Sequence, residues 1–174
     1  EDITEIYTFL KSLSLCNLAY YHYGISKNYD KAIKYYLLSI ELGNVTAMNN
    51  LANYHAEISK NYDEAISFYN KAIELNPDFY LAYNNLGLVY SYMNDLNSSI
   101  FYLKKAIQID PKLSKAHNDL GTVYAQTGNF DAAIEEINKA IEINPYEADY
   151  YYNLAVVYEF LKDDNSIWSW VVSL

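Results

Sequence analysis

The chain has 174 residues, 52% of them apolar, and a formal net charge of −10. That apolar content excludes a disordered chain. The charge argues against nucleic acid, whose phosphates need Lys and Arg to displace counterions, and against anionic membrane surfaces, so a neutral to basic protein or peptide fits better as a partner.

Cys16 is the single cysteine, which excludes an internal disulfide. No apolar run reaches the roughly 18 residues of a membrane span. No signal peptide is visible, so an intracellular, cytoplasmic location is the default expectation. The chain begins at Glu1 without Met, as a processed product or an excised piece would.

In chain order, Asp2-Ile-Thr-Glu5 has the form of a capping box. A helix is therefore expected from near Ile3, with residues 1–11 as an extension running into a first repeat. Leu18–Ala19 returns 33 residues later as Leu51–Ala52, and Asp30-Lys-Ala-Ile33 as Asp63-Glu-Ala-Ile66. Gly43–Asn44 stops the first unit. Pro77, Pro111 and Pro145 then stand 34 residues apart and close the near-copies AIELNP, AIQIDP and AIEINP. Leu86–Gly87, Leu120–Gly121 and Leu154–Ala155 keep the same period, as do Tyr90, Tyr124 and Tyr158. A fixed period of this size marks stacked copies of one supersecondary unit.

Each unit divides into two helices, A and B. The third is predicted to carry A over about 79–92 and B over about 96–109, with Asn94–Asp95 turning between them. The fourth carries A over about 113–126 and B over about 130–143, with Gly128–Asn129 in the turn. Asn76, Asp110 and Asn144 end the B helices because the residue before Pro is pushed out of the α region. Pro is expected to open the next helix. Asp163–Leu174 is expected to be a fifth B helix, with Trp170 in its core and Trp168, Val171 and Val172 outward. The predicted repeats are 12–44, 45–78, 79–112, 113–146 and 147–174, forming one domain.

Ala82-Tyr-Asn-Asn-Leu-Gly-Leu-Val-Tyr90 with Ser99, Leu103, Ala106 and Pro111 resembles a tetratricopeptide repeat. Leu120, Gly121, Tyr124, Ala133, Ala140 and Pro145 match the same pattern. Tyr35–Tyr36, Glu41-Leu-Gly43 and Ala47-Met-Asn-Asn-Leu-Ala52 lean toward the related Sel1-like repeats. The resemblance implies an all-α fold, a right-handed α-solenoid of about five antiparallel helix pairs. It also implies a protein-interaction function.

No P-loop, GxGxxG, GxSxG or HExxH occurs, and no catalytic residue, metal site or cofactor is expected. His22, His55 and His117 lie in three different repeats and read as packed histidines. Cys16 reads as a small buried residue.

One helix face carries the remaining signal. Opposite the packing face of Tyr83, Leu86, Gly87 and Tyr90, the third A helix presents Leu81, Asn84, Asn85, Leu88 and Tyr92. Equivalent places hold Asn49, Asn50, Asn53 and Glu57, then Lys115, Asn118, Asp119, Thr122 and Gln126, then Asp149, Tyr152, Asn153, Val156 and Phe160. One position reads Asn17, Asn50, Asn85, Asp119 and Asn153 down the chain. Asparagine offers donors and an acceptor, so such a row can pair with an extended peptide backbone, and superhelical tetratricopeptide proteins that this sequence resembles use an asparagine at this position that way. The same row can instead be solvated or bond helix to helix. Asp119, Asp149 and Glu159, opposed mainly by Lys115, predict basic ligand residues toward the fourth and fifth repeats.

The carboxylate clamp of chaperone-binding relatives is not present. Cys16, Tyr20 and Asp119 stand at its positions, and only Asn50 and Asn85 could serve. The expected function is a non-catalytic scaffold binding an extended peptide in a concave groove. Two alternatives stand beside it: an assembly module associating, as a homodimer or with a partner, through its apolar C-terminal helix, and a regulatory repeat region of a larger protein.

Overall fold

The computed structural model describes the backbone of residues 2–172 and the side chains of residues 2–162. Within the described residues the chain is all α, with nine helices and no strand. These are α1 (Ile3–Gly24), α2 (Tyr29–Ile40), α3 (Val45–Glu57), α4 (Tyr62–Leu75), α5 (Tyr80–Tyr92), α6 (Leu96–Ile109), α7 (Ser114–Gln126), α8 (Phe130–Ile143) and α9 (Ala148–Val172). They fall into two compact units, Glu1–Val89 and Tyr90–Leu174.

The local chemistry that cuts the helices repeats faithfully. Each A-to-B turn passes through one residue in the left-handed region: Lys27 (φ 54°), Lys60 (φ 55°), Asn94 (φ 62°) and Gly128 (φ 76°). The next residue but one or so begins a B helix whose N-cap is Asn28, Asn61, Asp95 or Asn129. Each of these caps accepts, through its side chain, the N–H three residues on, at 3.1, 3.3, 3.1 and 3.4 Å. The first helix is capped by Asp2, which accepts from the Thr4 N–H at 3.1 Å. It then runs without a break through the extension into the first repeat.

The prolines act differently from the sequence expectation. Pro77, Pro111 and Pro145 sit in the turns, and the following helices start at Tyr80, Ser114 and Ala148. The side chains of Asn76, Asp110 and Asn144 accept the N–H two residues on, across the proline, at 3.1, 3.0 and 3.4 Å. This local turn uses the proline's fixed φ and lacking donor.

In the first unit α1 packs on α2, α3 on α4, and α2 on α3. Their core is Cys16, Ala19, Ala32, Tyr36, Ala47 and Leu51, bordered by Tyr23, Tyr54 and Phe68. In the second unit α7 packs on α8, with α6 and α9 on either side. Its core gathers Leu103, Leu120 and Val123, and then Ala133, Ile137, Ala140, Tyr150 and Val157. Small residues fill the crossings: Ala32, Ala65, Ser99 and Ala133 share one repeat position and all are buried. At Gly121 α8 approaches closely, and an added Cβ would stand 2.6 Å from Ile137 Cγ1 and 2.9 Å from the Ala133 carbonyl oxygen.

The last helix departs from the expected pairing. Sequence periodicity placed a turn near Asp163 and a separate fifth B helix, whereas α9 runs from Ala148 to Val172 as one element. The segment after Phe160 is one residue shorter than its counterparts. It has no apolar residue after the cap position comparable to Tyr29, Tyr62, Leu96 or Phe130. On α9 Tyr158 is therefore 50% exposed, whereas Tyr90 stacks on Tyr102 with ring centroids 5.3 Å apart. Trp168, Val171 and Val172, expected as an outward apolar patch, lie outside the residues whose side chains are described.

The crossing at Gly121 makes a direct test. Gly121→Ala gains about 1 kcal/mol of helix propensity but overpacks a backbone contact, at about 1–3 kcal/mol. Urea unfolding is expected to show a net loss of roughly 0–2 kcal/mol. A variant more stable than the parent would contradict the close approach.

Candidate functional site

The side chains singled out by the sequence all lie on A helices, and they separate into two rows one residue apart. Asn49, Asn84 and Asn118 are buried, at 4%, 1% and 7% exposure, as is Asp119 at 8%. Asn50, Asn53, Asn85 and Asn153 are half-buried, and Asn17, Tyr92 and Tyr152 are exposed.

The rows are joined by hydrogen bonds between neighbouring A helices. In the first unit Asn85 Nδ2 donates to Asn49 Oδ1 at 3.0 Å and to Asn53 Oδ1 at 3.2 Å. Asn53 Oδ1 also accepts the Tyr69 hydroxyl at 2.6 Å, tying the B helix of the same pair into the network. One helix pair earlier, Asn50 Nδ2 lies 3.9 Å from Cys16 Sγ, a long contact. Burial pushes the Cys16 thiol up, with the Asn50 amide partly opposing it. In the second unit Asn153 Nδ2 donates to Asn118 Oδ1 at 2.9 Å. The Asn85–Asn49 and Asn153–Asn118 bonds run from the second row of one A helix to the first row of the A helix before it, and Asn85 reaches Asn53 as well. The asparagines thus stitch helices together, and Asn50, Asn53, Asn85 and Asn153 remain partly exposed.

Two cavities open beside this ladder in the second unit. One, of about 490 Å³, is lined by Lys115, Asp119, Glu147, Asp149, Tyr152 and Asn153, among others. The other, of about 450 Å³, is lined by Thr122, Gln126, Phe130, Asn153, Val156 and Phe160, among others. Asn153 borders both. Asp119 and Asp149 stand where the sequence placed acid, but Glu159 does not line the cavity and Glu147 does. Glu147 and Phe130 were not singled out in the sequence. Glu147 lies in the turn before α9, and Phe130 opens a B helix. Only the repeated apolar residue after each B-helix cap hinted at Phe130.

The histidines are all engaged. His22 stacks on Tyr35 and His55 on Phe68, with centroids 5.6 and 5.7 Å apart. His117, buried on α7, bonds Glu136 Oε2 through Nδ1 at 2.7 Å and the Pro111 carbonyl oxygen through Nε2 at 3.1 Å. Both partners are acceptors, so the protonated ring donates at both nitrogens. The Glu136 bond raises the His117 pKa above its ordinary 6.5, against burial, with the Pro111 carbonyl adding to the rise. The His117 bond in turn lowers Glu136, helped by Lys139 at 2.9 Å. No group of three or more metal-ligating side chains occurs among the described residues. No described helix is long and apolar enough to cross a membrane.

Two measurements follow from these contacts. Asn85→Ala deletes two bonds and strands the buried Asn49 carbonyl, so urea unfolding should show a loss of about 1–3 kcal/mol. Unchanged stability would mean that the amides do not hold the helices. For His117 the folded pKa is raised, so its contribution is complete below about pH 6.5 and is lost as pH rises through the folded value. Thermal melting of the parent should fall relative to His117→Gln as pH rises above about 6.5. Parallel profiles for the two proteins would contradict the doubly bonded imidazolium.

Comparison with known proteins agrees with this architecture. Residues 58–94 and 121–160 match the family described as TPR repeat, residues 80–113 and 102–135 match tetratricopeptide repeats, and residues 12–44 match a Sel1 repeat. No curated protein matches the sequence significantly. Among solved structures, the crystal structure of MamA protein is similar with a TM-score of 0.69 and 25% identity. That match covers 86% of this chain and 81% of the other. The first TPR of Spaghetti (RPAP3), bound to HSP90 peptide SRMEEVD, is similar in fold with a TM-score of 0.63 and 18% identity. It covers 68% of this chain and 93% of the other. The chain belongs to the tetratricopeptide repeat family, with a Sel1 repeat as its first unit.

Proposed function

We propose that this protein is a non-catalytic scaffold that binds an extended protein segment along the face formed by its A helices. The observation that carries the reading is the amide ladder. Asn85 and Asn153 are held in place by bonds to the preceding A helix, while remaining half-buried rather than sealed in the core. An amide fixed in this way loses little rotamer freedom on meeting a ligand, so its remaining hydrogen-bonding capacity is preorganised. Tetratricopeptide repeats form an interaction fold, and the structurally similar first TPR of Spaghetti (RPAP3) is itself bound to a peptide.

The exposed or weakly bonded members of the face allow a test that spares packing. Asn17 and Tyr152 are exposed, and the Asn50 amide lies at a long 3.9 Å from Cys16 Sγ and beside the Tyr36 hydroxyl. A library of random displayed peptides, selected on the full chain, is expected to enrich sequences that bind a triple alanine variant of these residues about tenfold more weakly. Equal binding to the variant would place the peptide elsewhere. An absence of enrichment would reject peptide binding.

A further inference from the structure

The two cavities of the second unit differ in chemistry and share a wall. The first takes its charged residues from the N-terminal part of α7 (Lys115, Asp119), from the turn before α9 (Glu147) and from the start of α9 (Asp149). The second takes Thr122 and Gln126 from further along α7, Val156 and Phe160 from further along α9, and Phe130 from the start of α8. Its lining contains no charged residue. Two helices running side by side in the same direction thus present an acidic end and an apolar end.

We propose that this surface selects a peptide carrying a Lys or Arg and a large apolar side chain, the base seated against Asp119, Glu147 and Asp149 and the apolar group beside Phe130, Val156 and Phe160. The proposal rests on reading the A-helix face as a peptide-binding surface and adds the chemistry of the ligand. Three carboxylates against one Lys leave two negative charges at the acidic cavity. The N-termini of α7 and α9 oppose this with a dipole field worth about half a positive charge each. The balance stays negative, and the chain's net charge of −10 adds to it. The apolar cavity, at about 450 Å³, has room for an aromatic or Leu side chain, whose burial supplies affinity while the acid sets the selectivity.

The helix geometry also sets the spacing of the two ligand residues. Asp149 precedes Val156 by seven residues and Phe160 by eleven, which is about 10 and 16 Å along a helix. An extended peptide advances about 3.3 Å per residue. The basic and apolar anchors should therefore stand roughly three to five residues apart.

The test is a random peptide selection on the full chain, followed by binding of one enriched synthetic peptide to Asp149→Lys and to Gln126→Trp. Both positions are exposed, so the changes spare the core. The expected consensus has a base and a large apolar residue at that spacing. Asp149→Lys should weaken the peptide about three- to tenfold, with a smaller effect at high salt. Gln126→Trp, which crowds the apolar cavity, should weaken it by about tenfold or more. The acidic peptide SRMEEVD is expected not to compete. An acidic or purely polar consensus, or competition by SRMEEVD, overturns this inference while leaving the peptide-binding face standing. Enriched peptides indifferent to both variants overturn it as well. No enrichment at all overturns both readings.

Discussion

Paired helices can approach closely only where little more than a methyl group stands between them, and the rest of this structure depends on that clearance. Ala32, Ala65, Ser99 and Ala133 provide it at one position of every described B helix, and Gly121 shows how little is left, with the Ala133 carbonyl oxygen 2.9 Å from where a Cβ would stand. Close crossing brings the large residues of each pair, such as Tyr36, Tyr69, Leu103 and Ile137, fully out of water. It also sets neighbouring A helices near enough for asparagine, a short side chain, to bridge them.

That bridging changes the meaning of the polar face. Asparagine has poor helix propensity, and a row of it inside helices needs compensation. The compensation is structural: Asn85 bonds Asn49 and Asn53, and Asn153 bonds Asn118. A buried amide network is costly if left half-made and specifies register when complete. In this fold the structural and the binding readings of the row are compatible. The buried row secures the helices, while Asn50, Asn85 and Asn153 of the second row stay partly exposed, as the proposed ligand contact requires.

Much of this was legible in the sequence because it depends on neighbours along the chain. The B helices Leu96–Ile109 and Phe130–Ile143 begin and end where the cap residues and the Asx–Pro pairs place them. The features that escaped depend on neighbours in space or on subtle loss of a signal. The aligned row of asparagines was visible, but the one-residue offset by which Asn153 meets Asn118 rather than Asp119 follows from helix stacking. The proline rule named the right turns, yet the Asx turn at Asn76, Asp110 and Asn144 displaces Pro from the first helical position into the turn itself. The unbroken α9 reflects a turn one residue short with Asp163 where the other B helices open on Tyr29, Tyr62, Leu96 or Phe130, a loss that aligning the repeats across the gap passes over. Glu147 sits outside any helix, where the repeat pattern assigns it no face.

The most direct check of the account is an amide chemical-shift map of the full chain with and without a selected peptide. Shifts concentrated at Thr122 and Gln126 of α7 and at Asn153 and Val156 of α9, with the exposed side of α8 around Glu135 and Asn138 unmoved, are the expected result. Shifts centred on α8 instead, leaving α7 and α9 silent, would contradict binding on the A-helix face.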